Sequence, residues 1–134
     1  MSGTRILVVD DDSDAAGLAA LMLRKAGYAV DSVGSGDEAL ARVAAAAFEL
    51  ILLDINMPGM DGWAVLRILK ADEASAGIPV AMFSGRGEVR DKVHGMQEGA
   101  VDYITKPFSY DEITGRVAAI LRRNIQNSAG GAVS

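Results

Sequence analysis

The chain has 134 residues, 50% of them hydrophobic, with 13 basic and 18 acidic side chains, a formal net charge of −5 and no cysteine. That length and apolar content suit one soluble domain with a substantial core. The missing cysteines exclude a disulfide framework and a thiolate metal site and make a cytoplasmic address the default. The negative charge argues against direct nucleic-acid binding, which runs on phosphate neutralisation, and no apolar run approaches the ~20 residues of a membrane span.

Residues 1–5 lead directly into a first strand without a secretory layout. That strand, Ile6-Leu7-Val8-Val9, is a continuous apolar run of the kind buried on both faces, and it ends in Asp10-Asp11-Asp12. Ser13 and Asp14 are placed to cap the following helix, on which Leu18, Leu21 and Met22 keep helical spacing before Gly27 stops it. Ala29 to Val33 alternates apolar and polar, as a half-exposed edge strand does. Ser35-Gly36-Asp37-Glu38 has capping-box spacing and opens an Ala-rich helix to about Ala46. Leu50-Ile51-Leu52-Leu53 is a second doubly buried strand, again closed by an acid, Asp54, before Pro58, Gly59 and Gly62 break the pattern.

Asp61 is positioned to cap a third helix carrying Val65, Leu66 and Leu69. Pro79 to Phe83 reads as a fourth strand ending at Ser84-Gly85, and Glu88 to Glu98 as a weakly amphipathic helix stopped by Gly99. Tyr103-Ile104 anchors a short fifth strand, followed by Lys106-Pro107. Ser109 to Glu112 is a further capping box, opening a helix with Ile113, Val117, Ile120 and Leu121 on one stripe. Arg122-Arg123 suit the carboxyl end of that helix, and the small, polar, Gly-rich stretch 124–134 reads as a flexible tail or linker. Strands and helices alternate five times, which implies an α/β fold with a parallel sheet and right-handed crossovers. With the most apolar strands central, the order is flavodoxin-like, 2-1-3-4-5.

In that order the strand ends deliver Asp10, Asp11, Asp54, Ser84 and Lys106 to one crevice. Crowded carboxylates repel, and a hard cation with oxygen ligands relieves the repulsion; Mg²⁺ suits a few carboxylates plus waters. Lys106 supplies the further positive charge an anion needs, and Ser84 a hydroxyl. Metal, ammonium and hydroxyl around an exposed carboxylate match the clamp of phosphoryl transfer, with Asp54 as the nucleophile.

The sequence resembles the receiver domain of two-component response regulators from about Arg5 to Arg123. The matching pieces are Leu7-Val8-Val9-Asp10-Asp11, Asp54-Ile55-Asn56-Met57-Pro58 with Gly62, Ser84-Gly85 and Lys106-Pro107-Phe108. The resemblance implies a (βα)5 receiver over residues 1–123, and an Asp54 that accepts phosphate from the phosphohistidine of a sensor histidine kinase or phosphotransfer protein. It implies that Asp11, Asp54 and the Asn56 backbone carbonyl ligate Mg²⁺ (or Mn²⁺), with Asp10 acting through water. Lys106 would bridge to Asp54 or the phosphoryl group through a cis bond to Pro107. Ser84 would move onto the phosphoryl oxygen, and Tyr103 would turn inward behind it. The face of the fourth helix, fifth strand and fifth helix would then change for a downstream target, a fused output domain or a dimer partner. Lys92, Asp102, Glu112 and Arg116 are available there for ion pairs, although Val101-Asp102 keeps only the second of the two acids many such receivers carry.

Asp12 either faces the cation's waters or caps the first helix. His94, the single histidine, reads as solvated surface, and Trp63 and the methionines as core or core edge. Asp10-Asp11-Asp12 contains the Asp-x-Asp of aspartyl-phosphate phosphatases, but Asp14 breaks that signature and Asp54 would have no task. A pseudo-receiver would lack one of the polar positions, and a flavin site would need a Ser/Thr/Gly-rich loop after the first strand; neither condition holds.

Overall fold

The computed structural model describes residues 3–85 and 89–133. Its elements in chain order are β1 (Arg5–Val9), α1 (Ser13–Lys25), β2 (Ala29–Val33), α2 (Gly36–Ala45), β3 (Leu50–Asp54), α3 (Gly62–Ala71), β4 (Val80–Ser84), α4 (Val89–Gln97), β5 (Asp102–Thr105) and α5 (Tyr110–Val133). The strands form one five-stranded sheet in the order β2-β1-β3-β4-β5, and every pairing is parallel. Register aligns Val9 with Leu53, Asp54 with Phe83, and Ser84 with Thr105. The residues that follow β1 and end β3 and β4 therefore meet at one edge.

Side chains of a strand alternate between faces, so the apolar runs feed two cores at once. Ile6, Val8, Leu50, Leu52, Phe83 and Ile104 pack against α1 and α5. Leu7, Val9, Ile51, Leu53, Met82 and Tyr103 face the opposite way, toward Ala39 of α2 and Val65, Leu66 and Leu69 of α3. β2 lies at the edge and is only partly covered, as its alternation requires.

Local signals in the sequence account for most boundaries. Ser35 accepts from Glu38 N at 3.2 Å and Asp61 from Ala64 N at 2.9 Å, while Gly27 takes φ +104° just past α1. Two expectations for α1 need correction. Its cap is Asp12, in one of the two roles the sequence left open for it, rather than Ser13 or Asp14: Asp12 Oδ1 accepts from Asp14 N at 3.0 Å and Ala15 N at 3.3 Å. Its core face is Ala16, Ala19, Ala20 and Leu23, while Leu18 and Leu21 are 47% and 64% exposed. The helix is apolar on more than one side, and the alanine side lets it approach the sheet closely.

The expected start of α4 at Glu88 lies outside the described residues. α5 continues to Val133, where a flexible tail from Asn124 was expected, and Arg122-Arg123 therefore lie inside it rather than at its end. No proline interrupts the stretch, so its small residues extend the helix started by the apolar stripe. Among the described residues no helix is long and apolar enough to cross a membrane.

Candidate functional site

Asp10 leaves β1 with its side chain fully buried. Its backbone N–H donates to Val33 O at 3.1 Å, which fixes its main chain against β2, and its Oδ1 accepts from Asp12 N at 3.0 Å, which orients the carboxylate. Asp54 closes β3 and is 5% exposed, while its neighbour across the crevice, Asp11, is exposed. Asp10, Asp11 and Asp54 each bring an oxygen within 4.8 Å of the others. Lys106 arrives from the end of β5: its Nζ donates to Asp10 Oδ2 at 2.6 Å and lies 3.7 Å from Asp54 Oδ1.

The backbone fixes that lysine. Lys106 N–H donates to Ser84 O at 2.7 Å, and the Lys106–Pro107 peptide is cis. Phe108, beyond the proline, packs on Phe83 with ring centroids 4.8 Å apart. Lys106 Nζ itself lies 5.3 Å from the Phe83 ring centroid, so an aromatic floor from β4 lies beneath the charged groups.

These contacts set the acidity of Asp54. Burial, and after it the negative charge of Asp10, push its carboxyl from an ordinary 3.8 up to about 7, while Lys106 and the Asn56 amide pull the other way. A buried carboxylate held so near neutrality is unfavourable as an anion until more positive charge arrives. The donor set is oxygen only and partly dry. Such a set fits a hard divalent cation.

Asp10, Asp11, Asp54 and Lys106, singled out in the sequence, thus converge at one edge. Ser84 is fully buried beside them at the end of β4, and Asn56 is exposed in the loop after β3. Tyr103 is 6% exposed, its ring packed with the α2–α3 core, so it is turned inward already in this structure. Asp102, on the same strand, accepts from Arg116 Nη1 at 3.0 and 3.2 Å and from Tyr103 N at 2.8 Å, all within the chain. His94 is exposed and meets Trp63 edge-on at 4.3 Å between ring centroids, a contact with no signal in the sequence. Of the two roles the sequence left open for Asp12, the loop's hydrogen bonds pick the cap, whereas the steric role of Gly62 escaped the sequence because it is a distance to a neighbouring backbone.

A parallel α/β sheet whose carboxyl edge gathers acids from two adjacent strands and a lysine from a third defines a class of domain that handles a cation and an anion together. The chain belongs to the response regulator receiver domain family, whose model matches residues 6–118. It is thus a receiver domain of a two-component system, a signalling switch rather than a classical enzyme. It is 43% identical over 125 residues to the transcriptional regulatory protein ResD of Bacillus subtilis (strain 168), covering 93% of this chain and 51% of that one. It is likewise 43% identical over 120 residues to the DNA-binding response regulator MtrA of Mycobacterium tuberculosis (strain ATCC 25618 / H37Rv), covering 90% and 51%. The chain spans about half the length of the curated relatives it matches. Among solved structures, NtrX from Brucella abortus in complex with ADP superposes with a TM-score of 0.93 at 31% identity, covering 99% of this chain and 30% of that one. The chemotaxis protein CheY4 of Vibrio cholerae gives 0.83 at 27% identity, covering 88% and 98%.

Proposed function

We propose that this receiver accepts a phosphoryl group on Asp54 from the phosphohistidine of a sensor histidine kinase or a phosphotransfer protein. An Asp54 oxygen forms the new bond to phosphorus as the histidine nitrogen–phosphorus bond breaks, and the departing imidazole takes up a proton. Asp11, Asp54 and the Asn56 backbone carbonyl would hold Mg²⁺, or Mn²⁺ in its place, with Asp10 acting through water. The bound ion supplies charge neutralisation between carboxylates and incoming phosphoryl oxygens. Asp10 and Asp11 orient that charge, Lys106 moves from Asp10 toward the phosphoryl group, and the Ser84 hydroxyl donates to a phosphoryl oxygen. Tyr103, at the same sheet end, fills the space behind Ser84. Hydrolysis of the acyl phosphate by the receiver itself resets the switch.

The observation that carries this reading is the position of Lys106, whose ammonium group stands between two buried carboxylates, one of them held near neutral acidity. A group so placed stabilises added negative charge with little reorganisation. The output is a change on the face of α4, β5 and α5, where Val93 and Met96 are exposed. Phosphorylation shifts that face toward the form that binds a target, an output domain or a second copy. ResD and MtrA are a transcriptional and a DNA-binding regulator by name, which supports a nucleic-acid output reached through a partner or a further domain. The receiver, at −5, does not itself hold DNA, and it works in the cytoplasm.

The test is incubation with Mg²⁺ and acetyl phosphate followed by intact-mass measurement. Wild type should gain one phosphoryl group, and Asp54→Asn none. Labelling that persists in the variant would move the acceptor elsewhere.

A further inference from the structure

Gly62 is the first residue of α3, eight positions beyond the acceptor and outside the set of charged groups. Its backbone is not in the left-handed region, so conformational freedom is not why glycine stands there. Space is the reason. A Cβ at position 62 would lie 2.2 Å from the carbonyl oxygen of Asp54, 2.8 Å from Ile55 Cα and 2.9 Å from the carbonyl carbon of Asp54. All three are backbone atoms, which cannot swing aside as a side chain can. Gly62 N–H also donates to Ile55 O at 2.8 Å, closing the loop that holds Asn56. The amino end of α3 therefore rests directly on the peptide unit from which the Asp54 side chain hangs.

We propose that Gly62 is a positioning residue for the acceptor site: its lack of a side chain seats α3 against the Asp54 carbonyl and so fixes both the Asp54 carboxylate and the Asn56 carbonyl for cation and phosphoryl group. The inference rests on the assignment of Asp54 as acceptor. A methyl group at position 62 must push β3's last residue and α3 apart. A displacement of the order of 1 Å at a reacting group costs about 100-fold in rate, and disturbing the support of a metal ligand costs about 10- to 100-fold in affinity.

The control lies in the same loop. Gly59 has φ +76°, so alanine there is strained, yet its Cβ would meet nothing within 4 Å. Gly59→Ala weakens the loop without pressing on Asp54. Both substitutions are made in a Gly17→Ala, Gly115→Ala background, because those two helical positions also have nothing within 4 Å of an added Cβ and alanine raises stability there.

Mg²⁺ alone is titrated calorimetrically into each protein, and acetyl phosphate labelling is followed by intact mass. The expected result is a Mg²⁺ affinity about 10-fold or more lower for Gly62→Ala than for the background, and slower labelling. Gly59→Ala should lose comparable melting temperature and keep its affinity. Equal Mg²⁺ affinity and labelling in Gly62→Ala and background, or equal losses in the two loop variants, would overturn the positioning role. So would a Gly62→Ala chain that fails to fold in the stabilised background, since the position would then serve folding. If the background itself neither bound Mg²⁺ nor took the label, the assignment of Asp54 would fall, and this inference with it.

Discussion

Lys106 pairs with Asp10 at 2.6 Å although 96 residues separate them along the chain. This one contact ties the end of β5 to the end of β1 across two intervening strands, with the Asp54 carboxylate 3.7 Å from the same ammonium group. The lysine offsets the repulsion of two buried acids. Removing it should leave the fold intact, since its backbone bond to Ser84 O does not depend on the side chain. Lys106→Ala is expected to cost about 3–5 kcal/mol in metal-free protein, the penalty of an uncompensated buried charge. Mg²⁺ should restore more stability to the variant than to wild type. Chemical denaturation with and without millimolar Mg²⁺ measures both; equal Mg²⁺ gains would contradict the shared role of lysine and cation.

The raised pKa of Asp54 has a direct consequence for stability. The folded chain holds that proton up to about pH 7, whereas the unfolded chain releases it near its ordinary 3.8. Between those values the native state binds more protons, so this group's contribution falls as pH rises through the window. Metal-free protein should lose on the order of 2–3 kcal/mol from this source between pH 5 and pH 8. Asp54→Asn should flatten the profile and melt higher than wild type at pH 8. Mg²⁺ binds the ionised form, so its stabilising effect should be larger at pH 8 than at pH 5. Thermal melts of both proteins across that range decide it, and a Mg²⁺ effect independent of pH would count against the arrangement.

Asp31 behaves oppositely. It accepts from Arg5 at 2.9 Å and from Arg42 of α2 as well, and the Arg42 hydrogen bond, ahead of the charges of both arginines, holds its carboxyl below the usual range. The stability it lends is present above about pH 4 and disappears as pH falls below. All three side chains are about a third exposed, so solvent screening keeps the sum small. Asp31→Asn should cost about 0.5–1 kcal/mol at pH 7 and progressively less as pH falls below about 4. A loss that stayed the same from pH 7 into the acid range would point to packing instead.

What the sequence disclosed follows from how strongly each feature is over-determined. Four apolar residues ending in acid can form only a doubly buried strand with its charge at the rim, so Asp10 and Asp54 were legible, and strand order followed from which runs were most apolar. Helix α1 was not legible in the same way. Its apolar positions cover more than one side, and periodicity alone does not choose between Leu18 and Leu21 on one stripe and Ala16, Ala19 and Leu23 on another. The close approach of small residues to the sheet made the choice. The run of α5 beyond Asn124 was hidden because composition records flexibility in residues such as Gly130 and Gly131 but not the helix propagating into them. Gly62 was visible as a pattern breaker, and its meaning is a distance that no spacing rule contains.

Gly17 and Gly115 show a different kind of reserve. Both sit inside helices, α1 and α5, and an added Cβ at either meets nothing within 4 Å. Each glycine costs its helix about 0.5–1 kcal/mol relative to alanine. Gly17→Ala and Gly115→Ala should each raise stability by that amount and add when combined, since neither added Cβ meets a neighbour the two could share. Denaturation midpoints read the effect; destabilisation by either would reveal a neighbour the fold does not show.

Asp12 separates capping from cation binding. Its Oδ1 accepts from two amides at the start of α1, while the contact it makes with Asp10 runs through its own backbone N–H. Asp12→Ala therefore removes the cap and spares the hydrogen bond that orients Asp10. The expected cost is about 1 kcal/mol of stability, with Mg²⁺ affinity changed by less than about 2-fold, because screening by solvent leaves an exposed charge little influence. Asp11→Asn should do the reverse: its carboxylate belongs to the oxygen cluster and caps nothing, so affinity should drop by about 10-fold or more while metal-free stability holds or rises as repulsion is relieved. Calorimetric Mg²⁺ titration and denaturation of the two variants form a crossed pair. Were Asp12→Ala to weaken Mg²⁺ binding as much as Asp11→Asn, the ion would have to reach both acids, and the cap would be secondary to it.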